Sequence, residues 1–193
     1  MPFIDALEKI APLSPLCQTA LREITTVQKL KKEHYLVVPG QVNDKLYYIE
    51  SGLVRVFYYA DTDTDSRQVT TYFRQEGSFL WLEEGFLWQQ PSLESIELLE
   101  DCQFWVIKRA DLEQMFVRFP ELNFHFRKIA ETYIGIYKQR LRLLDLKSAK
   151  KRYATFLKLY PKLGQRLQVR HLAHYLNIAP NTLSTVRGEV KKK

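Results

Sequence analysis

The stretch Val169-Arg170-His171-Leu172-Ala173-His174-Tyr175-Leu176-Asn177-Ile178-Ala179-Pro180-Asn181-Thr182-Leu183-Ser184-Thr185-Val186-Arg187 decides how the C-terminal part of this chain folds. Two short helical patterns, over 168–176 and 180–190, flank a tight connection. Leu172, Leu176, Ile178, Leu183 and Val186 supply apolar side chains shared by both helices, and Ala173 is the small residue needed where two helices cross closely. Asn177 falls at the turn, and Asn tolerates a left-handed backbone better than any residue except Gly. Pro180 opens the second helix, where its missing N–H removes no hydrogen bond. The spacing predicts a helix-turn-helix at Val169–Lys191.

Charge around this stretch is strongly biased. The whole chain carries +7, but residues 138–193 hold 15 Lys and Arg against 2 acids, a net of +13, while residues 1–137 sum to −6. A near-neutral body with a concentrated basic end is the electrostatic footprint of a polyanion-binding module. Hydrophobic residues at 46% and charged residues at 26% describe an ordinary globular chain, which excludes a disordered or fibrous one. No apolar run approaches the roughly 20 residues of a membrane helix. The start, Met1-Pro2-Phe3-Ile4-Asp5, lacks a basic segment followed by an apolar one, so no secretory leader is expected. Cys17 and Cys102 stand far apart and are read as packed structural thiols. These readings point to a cytoplasmic protein without membrane attachment.

Upstream, the hydrophobic period changes twice. Residues 3–25 read as helical, with Ser14-Pro15 as a start signal and Leu16, Ala20, Leu21 and Ile24 on one face. From Val27 to Ile107, short β-rich runs alternate with turn signals at Pro39-Gly40, Ser51-Gly52, Asp61–Ser66 and Gly77, which argues for a β-sandwich or barrel of about eight strands. Asp111–Phe119 reads as a short helix ended by Pro120. Beyond it Leu122, Phe126, Ile129, Tyr133, Ile136, Arg140 and Leu143 recur in alternating steps of four and three, the 3.5-residue repeat of a helix paired lengthwise with another. Packing of this helix on the chain's own β domain is compatible with the same pattern. The expected domains are 1–119, a β-roll; 120–146, a long dimerisation helix whose seam is Phe126, Ile129, Tyr133, Ile136 and Arg140; and 147–193, the helix-turn-helix domain.

In this order of elements the chain resembles the Crp/Fnr family of transcription regulators. The residues that carry the resemblance are Pro39-Gly40, Leu46–Val56 with its Tyr48-Ile49-Glu50-Ser51-Gly52-Leu53-Val54-Arg55-Val56 hairpin, Glu76-Gly77-Ser78-Phe79, and Leu172–Ile178. The resemblance implies an α+β fold: an N-terminal β-roll of the cyclic-nucleotide-binding type (a double-stranded β-helix), a long dimerisation helix and a C-terminal helix-turn-helix. It implies a homodimer acting on double-stranded DNA, with RNA polymerase as a further contact.

Two departures follow. Nucleotide-binding members carry a cassette that opens with Gly-Glu and ends with Arg followed by Ser or Thr. Here Trp81-Leu82 and Ser92-Leu93 occupy those places. A buried phosphate without a cation is costly, so no cyclic nucleotide is expected as cofactor. The neighbouring residues Tyr72, Trp81, Leu82, Trp88, Ser92 and Leu93 either line a pocket for an apolar effector or simply fill the core. The cysteine set of the iron–sulfur members is absent, so cluster-based oxygen sensing is excluded. Second, the recognition helix has Pro180-Asn181 and Thr185 where many relatives place Arg-Glu and Arg. No β-wing is expected after Val190.

The second helix of the motif should enter the major groove with its N-terminal half. Expected base contacts are Asn181, Thr182, Ser184, Thr185 and Arg187, an A·T-leaning set because no Arg lies in the first two turns. Expected phosphate contacts are Arg166, Arg170, His171, Lys191 and Lys192, with His174, Lys150, Lys151, Arg152 and Lys193 as further candidates. No catalytic or metal-binding residues are expected. Two other readings stay open: a degenerate sensor acting through protein contacts without DNA, and a cupin-type metalloenzyme, against which stands His34 as the one histidine of the β region.

Overall fold

The computed structural model describes residues 1–61 and 66–191. These form two compact units, residues 1–58 with 72–131, and residues 59–71 with 132–193. This division differs from the expected one. The first boundary falls inside the long helix, and the tip of a β-hairpin groups with the C-terminal helices, for reasons given by Thr70 below.

The first unit begins with two helices, α1 (Pro2–Glu8) and α2 (Pro15–Ile24), separated where one helical stretch had been expected. Ser14 caps α2 by accepting the Cys17 N–H, and Ser14 also donates its N–H and hydroxyl to the Glu121 carboxylate at 2.9 and 2.8 Å. These bonds hold the Glu121 carboxyl below the ordinary carboxylate range. Cys17 and Ala20 point inward as expected, but Leu16 is 72% exposed and lies off the buried face. The break at residues 9–14 resets the phase of α2, which a single continuous helix would not show.

Eight strands follow among the described residues: β1 (Thr26–Leu30), β2 (Tyr35–Val37), β3 (Lys45–Ser51), β4 (Leu53–Asp61), β5 (Ser66–Gln75), β6 (Phe79–Leu80), β7 (Ser95–Leu98) and β8 (Cys102–Lys108). They make two four-stranded sheets in the orders β1-β8-β3-β6 and β2-β7-β4-β5. Apart from β4 and β5, neighbours in each sheet are distant in sequence, the mark of a roll rather than a meander. Between β6 and β7 lies a one-turn helix, α3 (Glu83–Phe86), which the sequence pattern did not reveal.

Strict alternation in β4 predicts one wet face, yet Leu53, Val54, Arg55, Val56 and Phe57 are all buried. The polar member survives there because it is paired. Arg55 stands opposite Glu97 of β7 and binds its carboxylate at 2.6 Å, with the guanidinium 4.0 Å over the Phe57 ring. Beside them Ile49, Ile96, Leu98 and Phe104 are fully buried. α1 closes another edge of the core by setting Phe3 against Tyr48 and Trp105.

Gly52 makes the turn from β3 to β4 with φ +104°, and a Cβ there would meet the Asp101 carbonyl at 2.6 Å and the Cys102 sulfur closer still. α4 (Arg109–Arg118) then leads into the 25-residue helix α5 (Glu121–Asp145).

In the second unit, the tip of the β4–β5 hairpin packs with the C-terminal helices. Thr70 is fully buried; its carbonyl accepts from Arg140 of α5 at 2.7 Å, and its hydroxyl donates to the His171 carbonyl at 3.5 Å. The Arg140 guanidinium also lies 5.0 Å from the Tyr175 ring centre. These contacts explain why residues 59–71 belong to this unit.

Two outcomes are expected. Gly52→Ala combines a strained backbone with an overlap and should lower unfolding free energy by about 2 kcal/mol or more in urea denaturation. The Cys17 thiol is pushed up to about 12, chiefly by burial, with the nearby Glu121 carboxylate adding to the effect. The folded protein therefore keeps that proton where the unfolded thiol loses it, near pH 8.5. The stability this contributes is present below about pH 8.5 and is lost as pH rises toward about 12. Iodoacetamide at about pH 8.5 should label Cys17 slowly in native protein and rapidly in urea.

Candidate nucleic-acid interface

The C-terminal helices are α6 (Ala149–Leu159), the single turn α7 (Leu163–Arg166), α8 (Val169–Leu176) and α9 (Pro180–Lys191). Ser148 caps α6 by accepting the Lys151 N–H. α8 ends at Asn177, which adopts φ 51° and ψ 54°, the left-handed conformation expected of the turn. The Ile178 N–H returns to the Ala173 carbonyl at 3.1 Å, closing the α8 terminus. Pro180 opens α9, and the Leu183 N–H reaches back to Ala179.

Leu172, Ala173, Leu176 and Leu183 are all fully buried, and Val186 nearly so. Phe156 of α6 joins them, with its ring 5.6 Å from that of Tyr175. Four of the five apolar residues chosen from the sequence, Leu172, Leu176, Leu183 and Val186, are therefore in the core of this subdomain, while Ile178 is only half-buried.

The opposite side of α9 is open: Asn181, Thr182, Ser184 and Thr185 are all exposed. Ser184 donates its hydroxyl proton to the Pro180 carbonyl at 3.1 Å, and Thr185 donates to the Asn181 carbonyl at 3.2 Å. Arg170, Lys150, Lys151, Lys158 and Lys162 are exposed cations of the same unit. Lys150 already meets Glu189 of α9 at 2.6 Å.

Several expected contacts require correction. Arg187 does not face outward. It is half-buried and donates to the carbonyls of Gly164 and Leu167 at 3.0 and 3.4 Å, so it anchors α9 to α7. His171 is 3% exposed and belongs to the packed face of α8, which removes it from the phosphate set. Arg152 is spent on structure: Nε donates to the Leu146 carbonyl, and Nη1 donates at 3.0 Å to the carbonyls of both Leu176 and Asn177. A guanidinium there satisfies the open carbonyls at the end of α8 and complements its dipole. Arg166 is half-buried. Lys192 and Lys193 lie outside the described residues, as does the side chain of Lys191. No sequence signal marked Arg152 and Arg187 as inward-facing, because their carbonyl partners are brought near only by the fold.

The dimer seam is corrected as well. Ile129 is buried, Phe126 packs edge-on against Phe116 at 4.8 Å, and Arg140 is held by Thr70. Tyr133 and Ile136 are half-buried. This row of α5 is used largely within its own chain. The apolar residues of α5 left open are Phe124, Ile134 at 59% and Leu141 at 65%.

In the β-roll the expected effector residues do not converge. Tyr72, Leu82 and Ser92 are buried, with the Tyr72 hydroxyl donating to the Trp81 carbonyl at 3.2 Å and the Arg74 guanidinium 4.3 Å from the Tyr72 ring centre. Trp88 and Leu93 are 60% and 76% exposed and point away. The one-turn helix α3 (Glu83–Phe86) lies between the buried Leu82 and these exposed residues. Around it Glu83, Glu84 and Glu94 place carboxylate oxygens within 4.8 Å of one another, a grouping without histidine. Among the described residues no helix is long and apolar enough to cross a membrane.

The guanidinium of Arg152 is the most direct test of this subdomain. Arg152→Met should cost about 1–3 kcal/mol by leaving the carbonyls of Leu146, Leu176 and Asn177 without their charged donor. Leu183→Ala should cost about 2–5 kcal/mol through the cavity it opens. Thermal melts followed by circular dichroism would check both.

Comparison with known proteins agrees with this architecture. Residues 27–119 match the family model of the cyclic nucleotide-binding domain. Over 184 residues the chain is 25% identical to the anaerobic regulatory protein of Bacillus subtilis strain 168, covering 90% of this chain and 76% of that one. Its fold is similar to FixK2 from Bradyrhizobium japonicum, with a TM-score of 0.76 at 19% identity over 88% of this chain and 85% of that one. It is also similar to a transcriptional regulator of the CRP/FNR family from Thermus thermophilus, with a TM-score of 0.67 at 19% identity over 86% of each chain. The β-roll thus matches the cyclic nucleotide-binding domain model, and the order of elements is similar in fold to these regulators.

Proposed function

We propose that this chain is a Crp/Fnr-type transcription regulator, a cytoplasmic homodimer that grips duplex DNA with α9 and takes no cyclic nucleotide. The observation that carries the DNA reading is the two-sided build of α9. Leu183 and Val186 are locked into the core, while Asn181, Thr182, Ser184 and Thr185 stand exposed on the other side. Exposed Arg170, Lys151, Lys158 and Lys162 supply phosphate contacts from the same unit. A shift assay across a salt series tests this. Log affinity should fall linearly with log salt, with a slope of roughly −0.9 for each phosphate neutralised. A flat response would favour a sensor that acts through protein contacts alone.

The pairing surface is re-centred on Ile134 and Leu141, seven residues apart on one face of α5 and open to solvent. A double change, Ile134→Glu with Leu141→Glu, should convert dimer to monomer in analytical ultracentrifugation and abolish binding to a two-half-site duplex. An unchanged sedimentation coefficient would reject this surface.

Absence of nucleotide binding is supported by chemistry at the cassette. Leu82 is fully buried where nucleotide-binding members have Glu, and no Arg replaces Ser92. The converging carboxylates of Glu83, Glu84 and Glu94 would oppose an anion. Calorimetric titration with cyclic AMP and cyclic GMP should give no binding heat; micromolar affinity for either would overturn this part.

A further inference from the structure

We infer that α9 reads A·T base pairs, with the Asn181 amide on an adenine and the Thr185 methyl against a thymine. This rests on the DNA-binding reading and goes beyond it by naming the bases.

Guanine is read in the major groove mainly by Arg or Lys donating to O6 and N7. Arg187, the arginine of α9, is turned inward onto the carbonyls of Gly164 and Leu167 and lies 5.9 Å from the Tyr153 ring centre. The exposed α9 side chains before it are neutral: Asn181, Thr182, Ser184 and Thr185. Beyond it Glu189 is bound to Lys150. The described side chains of α9 therefore present no outward cation to a guanine edge.

The hydroxyls sharpen the choice. Each has a single proton, and those of Ser184 and Thr185 are already committed to helix carbonyls. They face outward as acceptors. Guanine O6 and N7 are also acceptors and give them nothing to accept, whereas the adenine N6 amino group does. Cytosine N4 would serve a hydroxyl equally well, but two further groups weigh against it. A carboxamide pairs with adenine N6 and N7 in bidentate fashion, and a threonine methyl packs on the thymine methyl. Asn181 stands in the first turn of α9, the end that approaches base edges in this motif.

Selection from a random duplex pool with the full-length protein, repeated with Asn181→Ala and Thr185→Arg, tests the inference. The expected half-site has an adenine at the position whose preference Asn181→Ala erases, with affinity for that site reduced about tenfold or more. Thr185→Arg should create a guanine preference where the parent selects thymine. Both residues are exposed, and unchanged thermal melts will confirm folding. Asn181→Asp, which keeps the shape and removes the donor, is the second variant if Asn181→Ala melts early. A guanine or cytosine at the position Asn181 controls, or a preference that survives both Asn181 variants, overturns the inference while leaving DNA binding intact. No enrichment of any duplex overturns the DNA-binding reading itself, and this inference with it.

Discussion

The Arg152 guanidinium, bound at 3.0 Å to the carbonyls of both Leu176 and Asn177, holds the turn on which the C-terminal subdomain is built. A helix end leaves carbonyls without partners, and a left-handed residue alone satisfies only some of them. Here the return bond from Ile178 to Ala173 and the charged donor from α6 share that task. The start of α9 is fixed relative to α6 as a result, and Leu183 and Val186 complete the core from the second helix. The exposed row at Asn181–Thr185 has a defined direction only because this turn has one conformation.

A second arginine divides structure from recognition. Arg187 ties α9 to α7 through the carbonyls of Gly164 and Leu167. Gly164 suits this close packing, because a Cβ there would meet a Leu157 methyl at 2.5 Å. Cations in this part of the chain thus split into two groups. Arg152, Arg187 and Arg140 spend their donors on backbone carbonyls, while Lys151, Lys158 and Lys162 stay in solvent and the exposed Arg170 donates from Nε to the His171 ring at 3.3 Å. The excess of positive charge near the C-terminal end is real, yet only part of it is available to a polyanion.

The β-roll handles buried charge differently. Arg55 and Glu97 sit directly across two strands and neutralise each other in a fully packed layer. Removing one partner from such a pair leaves an uncompensated charge, whereas replacing both with apolar groups is often harmless. Changing Arg55 or Glu97 alone would therefore cost far more than replacing both with an apolar pair. At the cassette the arrangement is different, with three carboxylates gathered around α3 and only partly withdrawn from water.

The helix-turn-helix, the strand sequence and the long helix were legible because each depends on local pattern. Asn177 takes positive φ for reasons internal to the residue, Pro180 starts a helix for reasons internal to the residue, and the strand turns are marked by Gly and Pro. Residue types at their spacing were enough for these, and for the apolar set of Leu172, Leu176, Leu183 and Val186. What a side chain does with its polar end was not legible. Nothing in the sequence names the partners of Arg152, Arg187, Arg140 and Arg55, and each is directed by an acceptor distant along the chain. The burial of His171, the exposure of Trp88 and Leu93, and the inward use of the Phe126–Arg140 row share that cause. Periodicity says that a helix has a face, but only the packed fold decides which neighbour covers it, because desolvation and hydrogen bonding are settled by three-dimensional proximity.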